Sequence, residues 1–150
     1  MSYPRLTRLE VRGFRSLRDV ALDLGDVNVL IGPNGAGKSN LLAVLRMVAL
    51  MRTGSLRRYV GEQGGASALL HYGPSVTREM AIRLVFEASE KVKNSYFVKL
   101  GYAAGNAFTF LEEQVTSQRA GHPETHLIAP ASGRAESVLA SELGRAERPG

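Results

Sequence analysis

Polar and apolar residues alternate along the first part of the chain. Leu9 and Val11 share one parity within residues 6–12, and Val20, Leu22 and Leu24 share one within residues 17–24. With Gly13-Phe14-Arg15-Ser16 between them, these segments read as two half-exposed strands joined by a turn in an antiparallel hairpin. Val27-Asn28-Val29-Leu30-Ile31 is almost continuously apolar, the pattern of a strand covered on both faces near the centre of a sheet. From Asn40 to Arg52 the apolar positions Leu41, Val44, Leu45 and Val48 recur at helical spacing, with Leu42 and Ala49 on the adjoining face. That spacing predicts a largely buried helix, stopped by Thr53-Gly54.

The second half alternates again. Ser67 to His71 reads as a short helix. Met80, Ile82, Leu84 and Phe86 alternate strictly and predict a strand with one wet face, whose apolar side needs a covering layer. Tyr96 to Tyr102 and Ala107 to Val115 read as two further strands linked through Gly105-Asn106, residues 117–133 are turn-rich, and Ala135 to Leu143 is a helix candidate. The predicted class is α/β with α+β content: one buried strand–loop–helix unit surrounded by antiparallel-looking strands.

Composition narrows the field. At 150 residues, 44% hydrophobic and 22% charged, the chain can close one globular core. The absence of cysteine excludes disulfides and thiolate metal sites. No run approaches the roughly 18 apolar residues of a membrane span, and MSYPRLTRLEV lacks the pattern of a signal peptide, so a cytoplasmic protein without membrane association is expected. Residues 1–58 hold 10 basic and 4 acidic side chains. Two readings are open: affinity for the phosphates of a nucleotide or nucleic acid, or a solvated arginine-rich surface.

The candidate chemistry lies between the apolar run and the first helix. Gly32-Pro33-Asn34-Gly35-Ala36-Gly37-Lys38-Ser39 fits G-x-x-x-x-G-K-[ST], the phosphate-binding loop, with a predicted strand before it and a predicted helix after it. Phosphate oxygens need several backbone N–H donors converging on one point. Gly35 and Gly37 let the chain curl tightly without a Cβ in the ligand's way. The amides from about Gly35 to Ser39 then point inward, with the helix N-terminus behind them. Lys38 is positioned for the β- and γ-phosphates and is the candidate catalytic residue, while the Ser39 hydroxyl is the expected Mg²⁺ ligand. Pro33 cannot donate an amide and stiffens the entry.

Leu9-Glu10-Val11-Arg12-Gly13-Phe14-Arg15-Ser16-Leu17, followed by Leu30-Ile31 and the loop and then Asn40-Leu41-Leu42, resembles the N-terminal lobe of ABC-type ATPases of the RecF/SMC class. In that class a G-F-R-S or N-F-K-S turn precedes the loop and Asn follows its serine. Bacterial RecF-like ATPases also carry a segment similar to Gly64-Gly65, Leu69-Leu70-His71 and Gly73, and a later one similar to Gly121-His122-Pro123-Glu124. The resemblance covers most of the chain, but its specific motifs lie within residues 9–42. It implies a P-loop head lobe binding ATP and Mg²⁺ through residues 32–40, with Arg15 either contacting the nucleotide or standing as a surface arginine. It implies a second ATPase head as partner, and DNA or a nuclease effector as further partners in DNA repair or phage defence. Other readings are an ABC transporter nucleotide-binding subunit and a non-catalytic truncated nucleotide-binding fragment.

Departures from the class set a further expectation. The aspartates are Asp19, Asp23 and Asp26, all before the loop, so no Walker B aspartate can follow it within this chain. Residues 1–150 therefore read as the N-terminal part of one ATPase domain, without signature motif or Walker B strand and without ATP turnover of its own. Phe108-Thr109-Phe110-Leu111-Glu112-Glu113 imitates a Walker B shape but also reads as the end of an alternating strand. None of Gln63, Gln114 and Gln118 has the context of a metal-sensing glutamine. His122 and His126 flank Glu124, but Pro123 argues for a turn rather than a zinc-binding helix. His71 reads as a packed polar tip.

Overall fold

The computed structural model describes residues 4–128 and 133–139, with backbone only at 126–128. The chain runs β1 (Arg5–Phe14), β2 (Leu17–Asp23), α1 (Lys38–Arg52), α2 (Leu56–Glu62), α3 (Ala66–Leu69), β3 (Glu79–Ser89), β4 (Val92–Ala103), β5 (Ala107–Arg119) and β6 (Thr125–Ile128). The strands form one six-stranded sheet in the order β2-β1-β3-β4-β5-β6, antiparallel at every pairing. The content is α+β.

Strand parity decides what the sheet buries. Leu9 and Val11 of β1, Met80, Ile82 and Leu84 of β3, and Val98 and Leu100 of β4 point into one core with Val44, Met47 and Met51 of α1. Leu56, Tyr59 and Val60 of α2 and Leu69 of α3 close the same core. The covering layer that β3 requires is thus supplied by the chain's own helices. The opposite face stays partly wet and carries ion pairs such as Arg8–Glu10 at 2.7 Å and Arg12–Asp19 at 3.1 Å.

One irregularity reverses the parity of β5. The register steps between Lys99 and Leu100, which pair with Glu112 and Phe110, leaving Leu111 as the extra residue of a bulge. Gly101 makes room for it, since a Cβ there would lie 2.9 Å from Leu111 Cδ1. Phe108 and Phe110 face the core before the bulge, and after it the inward residue is Glu113 rather than Glu112.

Residues 27–31 depart from expectation. They form no strand among the described residues, and Val27, Val29 and Ile31 are 84%, 74% and 90% exposed. The expected buried strand before the loop is therefore corrected to an open segment. Periodicity reads the apolar content correctly, but a strand buried on both faces needs hydrogen-bonding neighbours. The antiparallel sheet offers none here, because the chain leaves it from its edge strand β2. Of the helix candidate Ala135 to Leu143, residues 135–137 are not helical, Val138 and Leu139 are, and 140–143 lie outside the described residues.

Candidate functional site

Residues 32–37 form an open, exposed loop that closes only at Gly37, where α1 begins. Gly35 and Gly37 have φ of 84° and 97°, in the left-handed region that glycine occupies at little cost. A Cβ on Gly37 would meet Ser16 Oγ at 3.0 Å and Leu17 Cδ2 at 3.2 Å, so the loop's last glycine is pressed against the β1–β2 turn. Asn40 fastens the same contact, its Nδ2 donating to Ser16 Oγ at 2.7 Å. The turn and the start of α1 are therefore one assembly, although they are 24 residues apart.

The donors of this assembly are largely unspent. Ala36 N–H donates to Pro33 O at 3.2 Å and Leu41 N–H to Gly37 O at 3.0 Å. Among the described residues, the amides of Gly35, Gly37, Lys38, Ser39 and Asn40 have no protein acceptor. No side chain caps the helix and no acidic residue lies in its first turn. A helix start of this kind exposes N–H groups and partial positive charge together. Lys38 folds back over the loop, its Nζ donating to Gly32 O at 2.6 Å and Pro33 O at 2.8 Å. Asn34, Gly35, Gly37, Lys38, Ser39 and Asn40 line an open hollow of about 380 Å³. Its donors and its one ammonium group fit an anionic group, and the exposed Ser39 hydroxyl is free to join a cation's shell.

Arg15 stands beside this assembly at φ 46°, the second residue of the turn sequence Phe14-Arg15-Ser16. Its N–H donates to Leu69 O at 2.8 Å, and its carbonyl accepts from His71 Nδ1, which fixes the proton on that ring nitrogen. Its guanidinium donates to Gln63 Oε1 at 2.6 Å and lies 5.6 Å from the centre of the Phe14 ring. His71 is thus a half-buried polar tip that holds the turn. Gln63, without context in the sequence, turns out to be the side chain that Arg15 meets. The signal for it was Leu56, Tyr59 and Val60 at helical spacing, which mark α2 and put Gln63 at its C-cap.

The remaining acidic and histidine candidates lie elsewhere. Glu113 is fully buried and accepts from Tyr96 OH at 2.8 Å, from Val138 N–H at 2.8 Å and from the Ser137 hydroxyl. Tyr96 OH also reaches Met51 Sδ at 3.8 Å, near the C-terminal end of α1. From there back to Ser39 is 12 residues of helix, about 18 Å. Glu113 therefore ties the fold together, far from the loop. Glu112 is half-buried and accepts from Gln114 Nε2 at 2.8 Å. No group of three or more His, Asp or Glu suited to a metal occurs among the described residues, and no helix there is long and apolar enough to cross a membrane.

Residues 5–114 match the AAA ATPase domain family. The chain is 42% identical over 69 residues to the DNA replication and repair protein RecF of Acidothermus cellulolyticus, covering 44% of this chain and 19% of that one. It is 46% identical over 43 residues to the OLD nuclease of Thermus scotoductus, 29% of this chain and 8% of that one. Over 102 residues it is 32% identical to the ribose import ATP-binding protein RbsA 1 of Rhizobium meliloti, 67% of this chain and 20% of that one. Each alignment thus covers a fifth of the relative's length or less.

Proposed function

The chain belongs to the AAA ATPase domain family, and on that premise we propose that it is the ATP- and Mg²⁺-binding lobe of a RecF/SMC-like ATPase. The observation that carries this reading is the set of unspent amides at Gly35 and at Gly37 to Asn40, gathered around a lysine held only by loop carbonyls. On binding, Lys38 exchanges the Gly32 and Pro33 carbonyls for phosphate oxygens. The amides of Gly35 and of Gly37 to Asn40 donate to the same group, and the positive end of α1 favours its charge. The Ser39 hydroxyl would hold Mg²⁺, which would supply charge neutralisation when bound. Gly32, Pro33, Asn34 and Ala36 shape the loop, and Asn40 acts by locking α1 to the turn at Ser16.

Hydrolysis requires more than this: a metal-holding carboxylate beside the Ser39 hydroxyl, a positioned water and opposing charge. No aspartate follows Asp26, and the buried Glu113 is spent on structure. These elements come from outside residues 1–150, from the rest of a complete protein and from a second head. DNA repair or phage defence, with DNA or a nuclease effector as partner, is the setting we propose for that complete protein, located in the cytoplasm. The match to a ribose import protein favours a second reading, a transporter ATP-binding subunit. A signature motif in the downstream reading frame beside a DNA-processing gene supports the first reading, and a membrane-subunit neighbour supports the second.

Calorimetric titration with Mg·ATP tests the binding claim. Lys38→Ala is expected to weaken binding by about 1.5–3 kcal/mol, the range for a charge-assisted hydrogen bond. Equal affinity in both proteins would overturn the assignment.

A further inference from the structure

A second hollow adjoins the first. Ser39, Leu42, Ala43, Arg46, Tyr59 and Gln63 line a groove of about 240 Å³ along the side of α1. Ser39 also lines the hollow of the loop, so the two share this residue. No acidic residue lines either one. Arg46 is exposed and forms no ion pair among the described residues. It follows Ser39 by two helical turns, and helical side chains lean toward the N-terminus, which directs Arg46 back along the groove.

Gln63 has the orientation of its amide set for it. A guanidinium only donates, so the atom facing Arg15 Nη2 at 2.6 Å is the amide oxygen. The Nε2 group is then turned away from Arg15, and among the described residues it has no protein acceptor. With that edge open, the groove's wall offers the Gln63 N–H₂, the Arg46 guanidinium and the Ser39 hydroxyl.

We propose that this groove is an anion subsite for phosphate oxygens of the nucleotide held by residues 32–39, with Gln63 and Arg46 as contacts and Arg15 as the positioning residue that fixes the Gln63 amide. The proposal rests on the nucleotide-binding reading and extends it. Arg15 acts through Gln63 rather than by touching the ligand, so its removal and that of Gln63 are not independent.

The test is calorimetric titration of Mg·ATP into the full chain and its variants. Gln63→Glu is the decisive one. A carboxylate pairs with Arg15 at least as well as the amide does, so a purely structural role is preserved. It also puts an acceptor and a negative charge where the donor stood. The expected result is affinity lowered about tenfold or more by Gln63→Glu and roughly threefold to tenfold by Gln63→Ala, with thermal unfolding of Gln63→Glu unchanged. Arg15→Ala lowers affinity in the parent chain but not in the Gln63→Ala background, and Arg46→Gln lowers it in both. Parental affinity in Gln63→Glu and Arg46→Gln, alongside loss in Lys38→Ala, would overturn the subsite and leave the loop assignment standing. Failure of the parent chain to bind Mg·ATP would overturn both.

Discussion

Glu113 shows how a single residue can be read correctly by type and wrongly by place. The sequence presents it as half of an acidic pair after four apolar-leaning residues, and strict alternation from Phe108 and Phe110 would turn Glu112 inward. The bulge at Leu111 reverses that, and nothing in local composition announces it except Gly101 on the neighbouring strand. Burial, then the charge of Glu113 and the hydrogen bond to it, hold the Tyr96 phenol above its ordinary value. The folded state therefore keeps this proton at a pH where the unfolded chain has lost it. Stability is expected to be fully present below about pH 10 and to decline as pH rises above it. Tyr96→Phe should flatten that decline in urea-unfolding curves taken across pH 9–11, and an unchanged slope would contradict the assignment. Glu113→Ala removes the acceptor shared by Tyr96, Ser137 and Val138 and is expected to cost about 3 kcal/mol at pH 7. A loss below about 0.5 kcal/mol would contradict its role as a tie. Lys38, Ser39 and the loop glycines were legible from spacing alone, whereas the Arg15–Gln63 contact joins residues 48 apart and was not.

Among the elements, those whose partners lie within the chain were the ones the pattern revealed. β1 to β4 follow period-two alternation, and β5 does so on either side of its bulge. α1 forms as its spacing predicts but buries Leu41, Val44, Met47 and Met51, with Leu45 and Val48 half-buried and Leu42 and Ala49 exposed. α2 was missed because it has only seven residues, with arginine, glycine and glutamate among them, though Leu56, Tyr59 and Val60 mark its buried side. Its N-terminus is capped from afar by Glu136, whose carboxylate accepts from Arg57 N–H at 2.9 Å and from Leu56 N–H at 3.3 Å. Residues 27–31 were read by pattern as a buried strand, and hydropathy alone cannot tell whether a strand's neighbours are present. The difference is measurable. Ile31→Thr, at 90% exposure, is expected to change stability by less than about 0.5 kcal/mol, while Met47→Ala at 0% exposure costs about 2–5 kcal/mol. Comparable losses in the two, followed by urea unfolding, would show that residues 27–31 are covered.

At the scale of the whole molecule, the described residues form one antiparallel sheet that buries a single face under α1, α2 and α3, and the loop of residues 32–37 hangs from its edge. The fastening of α1 to the β1–β2 turn through Asn40 and Ser16 holds that loop against the core while leaving its amides and the preceding apolar segment open. That openness suits the proposed lobe of a larger ATPase, in which these residues serve nucleotide binding and the further groups for hydrolysis are supplied from elsewhere. The central claim is that residues 32–40 hold the phosphates of Mg·ATP. Amide-resolved NMR of the nitrogen-labelled chain, titrated with Mg·ATP, tests it most directly. The account predicts that the largest shifts fall on Gly35, Gly37, Lys38, Ser39 and Asn40, that they saturate together, and that Lys38→Ala reduces them. Saturable shifts confined to other residues, or none at these five while the nucleotide binds, would contradict it.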